Sequence, residues 1–96
     1  MLLHSNFMEK VNSFEKDNVK FGYITVQPGE RVPLNGLSEH SGDEYSIILD
    51  GELVGESDNK AFHVKKGDFT YFPKGEPHWC ENKSDHEVKI LYVLVE

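Results

Sequence analysis

From Lys20 to Glu96 the chain runs as short apolar segments, each ended by Gly, Pro or Asp. "KFGYITV", "EYSIIL", "ELVG", "KAFHV", "FTYF", "HWCEN" and "VKILYVLV" follow one another with only turns between them. Parallel strands need helical crossovers, and this spacing leaves no room for them, so an all-β sandwich or barrel of antiparallel strands is expected. Asp50-Gly51, between "EYSIIL" and "ELVG", is a strong two-residue hairpin signal and predicts a hairpin there. The turns "KKGD" and "PKGEP" close two further strands; in the second, Pro73 presets φ and Gly75 relaxes the exit. "FMEKVNSFEK" places Phe7, Val11 and Phe14 at helix-like spacing but has no cap beyond Asn6. Residues 1–19 are therefore expected to be a strand or an irregular segment ahead of a barrel over residues 20–96.

With 96 residues the chain forms one domain. A domain of this size hides roughly 60–65% of the surface its unfolded chain exposes, so its core is thin. In "YSIIL" and "ILYVLV" both strand faces are largely apolar, whereas a strand with one wet face would alternate. The second face needs another sheet or a second subunit over it, and for so thin a core a homodimer is expected.

The formal charge of −7, from 17 acids against 10 bases, comes without any basic stripe. Nucleic acid and anionic membrane surfaces are thus not expected as partners. The apolar runs are too short for a membrane helix, and "MLLHSNFMEK" lacks the features of a signal peptide. A single Cys provides no intrachain disulfide, so a cytoplasmic setting is expected.

In "GDFTYFPKGEPHWCEN", Gly67 is followed after five residues by Pro73, then Gly75, His78 and Asn82. Gly, five residues, Pro-x-Gly, two residues, His, three residues and Asn is the second motif of the cupin superfamily, and the chain resembles that motif at every fixed position. The end of the first motif, Glu, six residues and Gly, is reproduced by Glu44 to Gly51. The two motifs span about half the chain in the right order. The resemblance implies a single-domain double-stranded β-helix, the jelly-roll barrel.

The beginning of the first motif departs from the family pattern. Counting back from Glu44 puts His40 at the second His of His-x-His and Ser38 at the first; counting forward from Gly29 gives Leu37 and Asn35. The count from Glu44 is preferred because it retains a His. Under it the resemblance implies a divalent-metal site of His40, Glu44 and His78, with Ser38 supplying only a neutral hydroxyl. Two imidazoles and a carboxylate with open positions suit Fe, Mn, Ni or Zn.

Alternation along strands gives the spacing its physical basis. If Glu44 points into a barrel, Ser46 and Ile48 follow it inward, and Cys80 and Asn82 follow His78. Each candidate also has a plainer reading: a turn histidine for His78, a solvated acid for Glu44, a core thiol for Cys80. Ser38, Tyr71 and Cys80 are the candidate pocket residues for a small organic ligand, although Tyr71 and Trp79 also suit packing or dimer contacts. His4, His63 and His86 are expected to carry no function. Cupins include enzymes and pure binding modules. The resemblance is compatible with a metal-dependent oxygenase or isomerase-type enzyme and with a metal-free or weakly metal-binding ligand-binding or sensor domain without catalysis.

Overall fold

A computed structural model describes residues 11–96, with side chains from Ser13 onward; Phe7 and His4 lie outside this range. The described residues contain no helix, and hence none long and apolar enough to cross a membrane. Nine strands follow in order: β1 (Val11–Lys16), β2 (Val19–Val26), β3 (Arg31–Val32), β4 (Asp43–Asp50), β5 (Glu52–Ser57), β6 (Lys60–Lys65), β7 (Phe69–Phe72), β8 (His78–Glu81) and β9 (Val88–Val95). They form a five-stranded sheet in the order β1-β2-β9-β4-β7 and a four-stranded sheet in the order β3-β8-β5-β6. All the strand pairs are antiparallel, as the turn-rich spacing predicts. The N-terminal segment, from Val11, is a strand and pairs with β2 along its whole length.

The expected hairpin at Asp50-Gly51 does not form. β4 belongs to the five-stranded sheet and β5 to the four-stranded one, so Gly51, at φ 84°, carries the chain across from one to the other. A bulge between Ile48 and Asp50 in the pairing with β9 precedes the crossing. The tight hairpins are instead at Asp17-Asn18 and Asp58-Asn59, whose four residues all have positive φ near the left-handed region. Two successive left-handed residues match the twist of the flanking strands, and Asp and Asn tolerate that conformation best after Gly.

The inner faces of the two sheets meet around a core of Val26, Ile48, Leu53, Val88 and Ile90, against which Ile24, Val32, Val64 and Cys80 pack. Full burial of each such side chain is worth roughly 1.5–3 kcal/mol relative to exposure, so this small cluster leaves little margin. The core fills one end of the interior. The other end holds a cavity of about 250 Å³.

The outer face of the five-stranded sheet has nothing over it among the described residues. Phe14, Phe21, Tyr45, Phe69 and Tyr71 all point outward there and are exposed. The second face of β4 and β9 is therefore not covered by the other sheet of the same chain.

Candidate metal centre

Strand register builds the site in layers across the five-stranded sheet. Lys20 on β2, Leu94 on β9, Glu44 on β4 and Phe72 on β7 are successive cross-strand partners and form one row facing the interior. The next row inward is Gly22, Tyr92, Ser46 and Thr70. Beyond it lie Ile24, Ile90 and Ile48, where the core begins. Charge at the opening thus gives way to hydroxyls and then to hydrocarbon.

On the four-stranded sheet, His78 begins β8 and is buried, with Cys80 two residues further along the same face. The His78 Nδ1 lies 3.0 Å from the carbonyl oxygen of Glu76. A carbonyl only accepts, so Nδ1 carries the proton and Nε2 keeps its lone pair for the cavity. The Phe72 ring stacks on the imidazole, centroids 4.0 Å apart and planes within 3° of parallel. One hydrogen bond and one stacked ring therefore fix the orientation of His78, the kind of support that ligating histidines have.

His40 comes from the loop ahead of β4, and backbone contacts between the two motifs hold that loop in place. Gly75 N donates to His40 O at 2.9 Å, and Lys74 N donates to the Asp43 carboxylate at 2.9 Å. Ser38 and His78 exchange two backbone hydrogen bonds, at 2.8 and 3.0 Å. The turn "PKGEP" thus serves the site twice over, ending one strand and anchoring the histidine loop.

His40 Nε2 lies 3.3 Å from one Glu44 oxygen, and His78 Nε2 lies 4.0 Å from the other. One ligand atom from each of the three residues falls within 4.8 Å of the other two. Ligands bonded to one metal at about 2.1 Å, at angles between 90° and tetrahedral, stand roughly 3.0–3.4 Å apart. The His40–Glu44 edge already has that length, and the other two edges stay within 4.8 Å. The donor set fits a divalent transition metal.

Burial pushes the Glu44 carboxyl above its ordinary value, while the charge of His78 opposes the shift. Burial also holds the His40 imidazole below its ordinary value; the Lys20 ammonium adds to this and Glu96 works against it. The His40 lone pair is therefore favoured near neutral pH, as metal ligation requires. The Cys80 thiol is pushed up to about 11, chiefly by burial and then by Glu44, with Arg31 opposing. It is an inert thiol at neutral pH.

Of the candidate pocket residues, Ser38 and Cys80 line the cavity and Tyr71 does not. Tyr71 sits between the inward Thr70 and Phe72, so strand alternation turns it outward, where its ring meets Tyr45 at 5.1 Å and its hydroxyl donates to Asp43. Asn35 is exposed and away from the cavity, which favours the count from Glu44. Asn82 is fully buried, yet it binds protein rather than facing the cavity. His63 is exposed beside Glu52, and His86 beside Asp85. Lys20 and Tyr92 escape sequence reasoning, because only the register of β2 and β9 on β4 brings them to the site.

Comparison with known proteins agrees with this architecture. A protein-family model for the cupin domain matches residues 22–94. An uncharacterized protein of Methanocaldococcus jannaschii is 33% identical over 90 residues, covering 94% of this chain; the chain spans 66% of that protein. Among solved structures, a cupin 2 conserved barrel domain protein of Salinispora arenicola superposes over the whole chain and 89% of its own, with TM-score 0.82 and 18% identity. A predicted oxalate decarboxylase of Thermotoga maritima superposes over 88% of this chain and 77% of its own, with TM-score 0.77 and 27% identity. With the family model matched from β2 to β9 and both sheets superposing on solved cupins, the chain belongs to the cupin family.

Proposed function

We propose that this cupin is a metal-dependent enzyme acting on a small organic molecule, with a divalent metal held by His40, Glu44 and His78. The observation that carries the reading is the convergence of the three donor groups at the rim of a mostly apolar cavity. Three protein ligands leave coordination positions open toward that cavity, as catalytic sites require and closed structural sites do not. A bound metal supplies Lewis acidity toward a ligand oxygen or, if it is iron, a site for O₂. The protein orients the ligand between the two sheets and excludes water with Ile24, Ile48, Ile90 and Phe72. One observation favours a second reading, a binding module without chemistry: Ser38 stands where a fourth ligand would be and offers only a hydroxyl.

Elemental analysis of untagged protein after reconstitution with Fe, Mn, Ni or Zn, beside His78→Ala, separates the two readings. Close to one equivalent of metal, lost in the variant, supports the enzyme. Less than about a tenth of an equivalent supports the binding module.

We also propose that the outer face of the five-stranded sheet is covered by a second copy of the chain. Five strands about 4.8 Å apart and about 20 Å long project an area of roughly 480 Å². Side-chain relief raises the accessible area above that projection, toward the ~800 Å² per partner of a stable interface. The same aromatic patch on both partners suits an isologous two-fold contact. Sedimentation equilibrium at micromolar concentration is expected to give a dimer for the native chain and a monomer for Phe21→Lys. A native monomer refutes the contact.

A further inference from the structure

The cavity has a second polar wall opposite the metal ligands. Lys20 faces the interior two strands away from Glu44 in the same row, roughly 10 Å from it at the backbone. A lysine stem spans much of that distance, and the ammonium is near enough to His40 to act on it electrostatically. Among the described residues Lys20 has neither an ion-pair nor a hydrogen-bond partner.

Tyr92 stands one row deeper on the neighbouring strand. Its ring lies over Gly22, where a Cβ would sit 2.3 Å from Cζ and 2.5 Å from the hydroxyl oxygen. Only a glycine on β2 lets the tyrosine lie across that strand, and this brings its hydroxyl to the side of the cavity that Lys20 occupies. That hydroxyl also has no hydrogen-bond partner among the described residues, and it is not sealed from the cavity.

With a divalent metal in place, Glu44 and Lys20 leave a net charge of +2 in a cavity whose remaining lining is mostly apolar. A neutral ligand would leave that charge uncompensated where its cost is high. Beyond the polar rows, a ligand's far end meets mainly hydrocarbon from Ile24, Val26, Ile48 and Ile90, with the Cys80 thiol beside it. The volume of about 250 Å³ equals the share of roughly eight liquid waters, so the ligand is small.

From Lys20, Tyr92 and the apolar end, we infer that the site takes a small organic anion, a carboxylate with a compact apolar body. Its charged end is held between the metal ligands and the Lys20–Tyr92 wall. Lys20 is a specificity-determining residue for that charge. The inference rests on the proposed function for the metal, but not for the Lys20 wall.

Calorimetric titration of 3-methylbutanoate and its neutral amide into protein of measured metal content tests it. The carboxylate is expected to bind at least about tenfold more tightly than the amide and than acetate. Lys20→Met is expected to lose at least about tenfold of carboxylate affinity with metal content unchanged, and Lys20→Arg to retain most of it. Lys20-dependent carboxylate binding by protein that takes up no metal keeps this inference and refutes the metal. Equal affinity for acid and amide, carboxylate binding untouched in Lys20→Met, or no binding of 3-methylbutanoate to metal-loaded protein overturns it.

Discussion

Replacing Asn82 by Ala is expected to cost more stability than removal of any exposed polar side chain. Asn82 is fully buried, and its side chain makes four hydrogen bonds. Nδ2 donates to Val26 O at 2.9 Å and to His86 O at 2.6 Å, while Oδ1 accepts from Ser84 N at 3.0 Å and Ser84 Oγ at 2.7 Å. These bonds tie the turn after β8 to the end of β2. In the alanine variant the exposed partners turn to water, but the carbonyl of the fully buried Val26 loses its donor. An unpaired buried acceptor costs about 1–3 kcal/mol, and the lost net bonds add about 1 kcal/mol. The sum is roughly 2–4 kcal/mol, a large share of the 5–15 kcal/mol typical of small domains. At ~4–8 °C per kcal/mol, the melting temperature falls by about 8–32 °C. Urea unfolding monitored by the single Trp is the assay, with Ser84→Ala as the control that breaks only the peripheral bonds. A loss under about 0.5 kcal/mol for Asn82→Ala, or one no larger than for Ser84→Ala, would refute the bracing role.

Further outcomes follow from the same structure. In metal-free protein the raised Glu44 carboxyl means that the folded state holds its proton more tightly than the unfolded one, so stability falls as pH rises from the ordinary value of 4.5. The lowered His40 works in the opposite sense, adding stability as pH rises toward 6.5, and Glu44→Gln should abolish only the falling limb of the measured stability–pH curve. The Cys80 thiol at about 11, against an ordinary 9.0, leaves about a hundredfold less thiolate. Alkylation by iodoacetamide at pH 8 should therefore be about a hundredfold slower in native than in urea-unfolded protein, and equal rates would contradict the burial. In Gly55→Ala the new Cβ would meet the Trp79 carbonyl oxygen at 2.1 Å and the Cys80 Cα at 2.9 Å, both backbone of the strand that carries His78. Thermal unfolding should show a loss of about 1–3 kcal/mol, and metal titration a weaker affinity.

Strand placement was legible in the sequence because turn chemistry is local. "FTYF" and "VKILYVLV" coincide with β7 and β9. The inward run Glu44, Ser46, Ile48 follows from alternation once one face is assigned. What the sequence conceals is which strands pair. Asp50-Gly51 has hairpin chemistry, but β4 gains more partners beside β7 and β9 than it would from β5, and tertiary pairing overrides the turn signal. The Asp-Asn turns that do close hairpins carry a weaker local signal than Asp-Gly. Tyr71 illustrates a phase error: in a four-residue strand flanked by Asp68 and Pro73, alternation fixes which residues share a face without saying which face is inside. Asn82 keeps its place in the motif, but its service is to the fold. Lys20 and Tyr92 stand far from both motifs, and long-range register alone brings them near Glu44.

The central claim is that His40, Glu44 and His78 close on one metal inside the barrel. Anomalous scattering from crystals of protein reconstituted with manganese or zinc, collected on both sides of the metal edge, tests it most directly. One dominant peak is expected at about 2.1 Å from both Nε2 atoms and a Glu44 oxygen. A peak elsewhere, or none in protein soaked at millimolar metal, would contradict it.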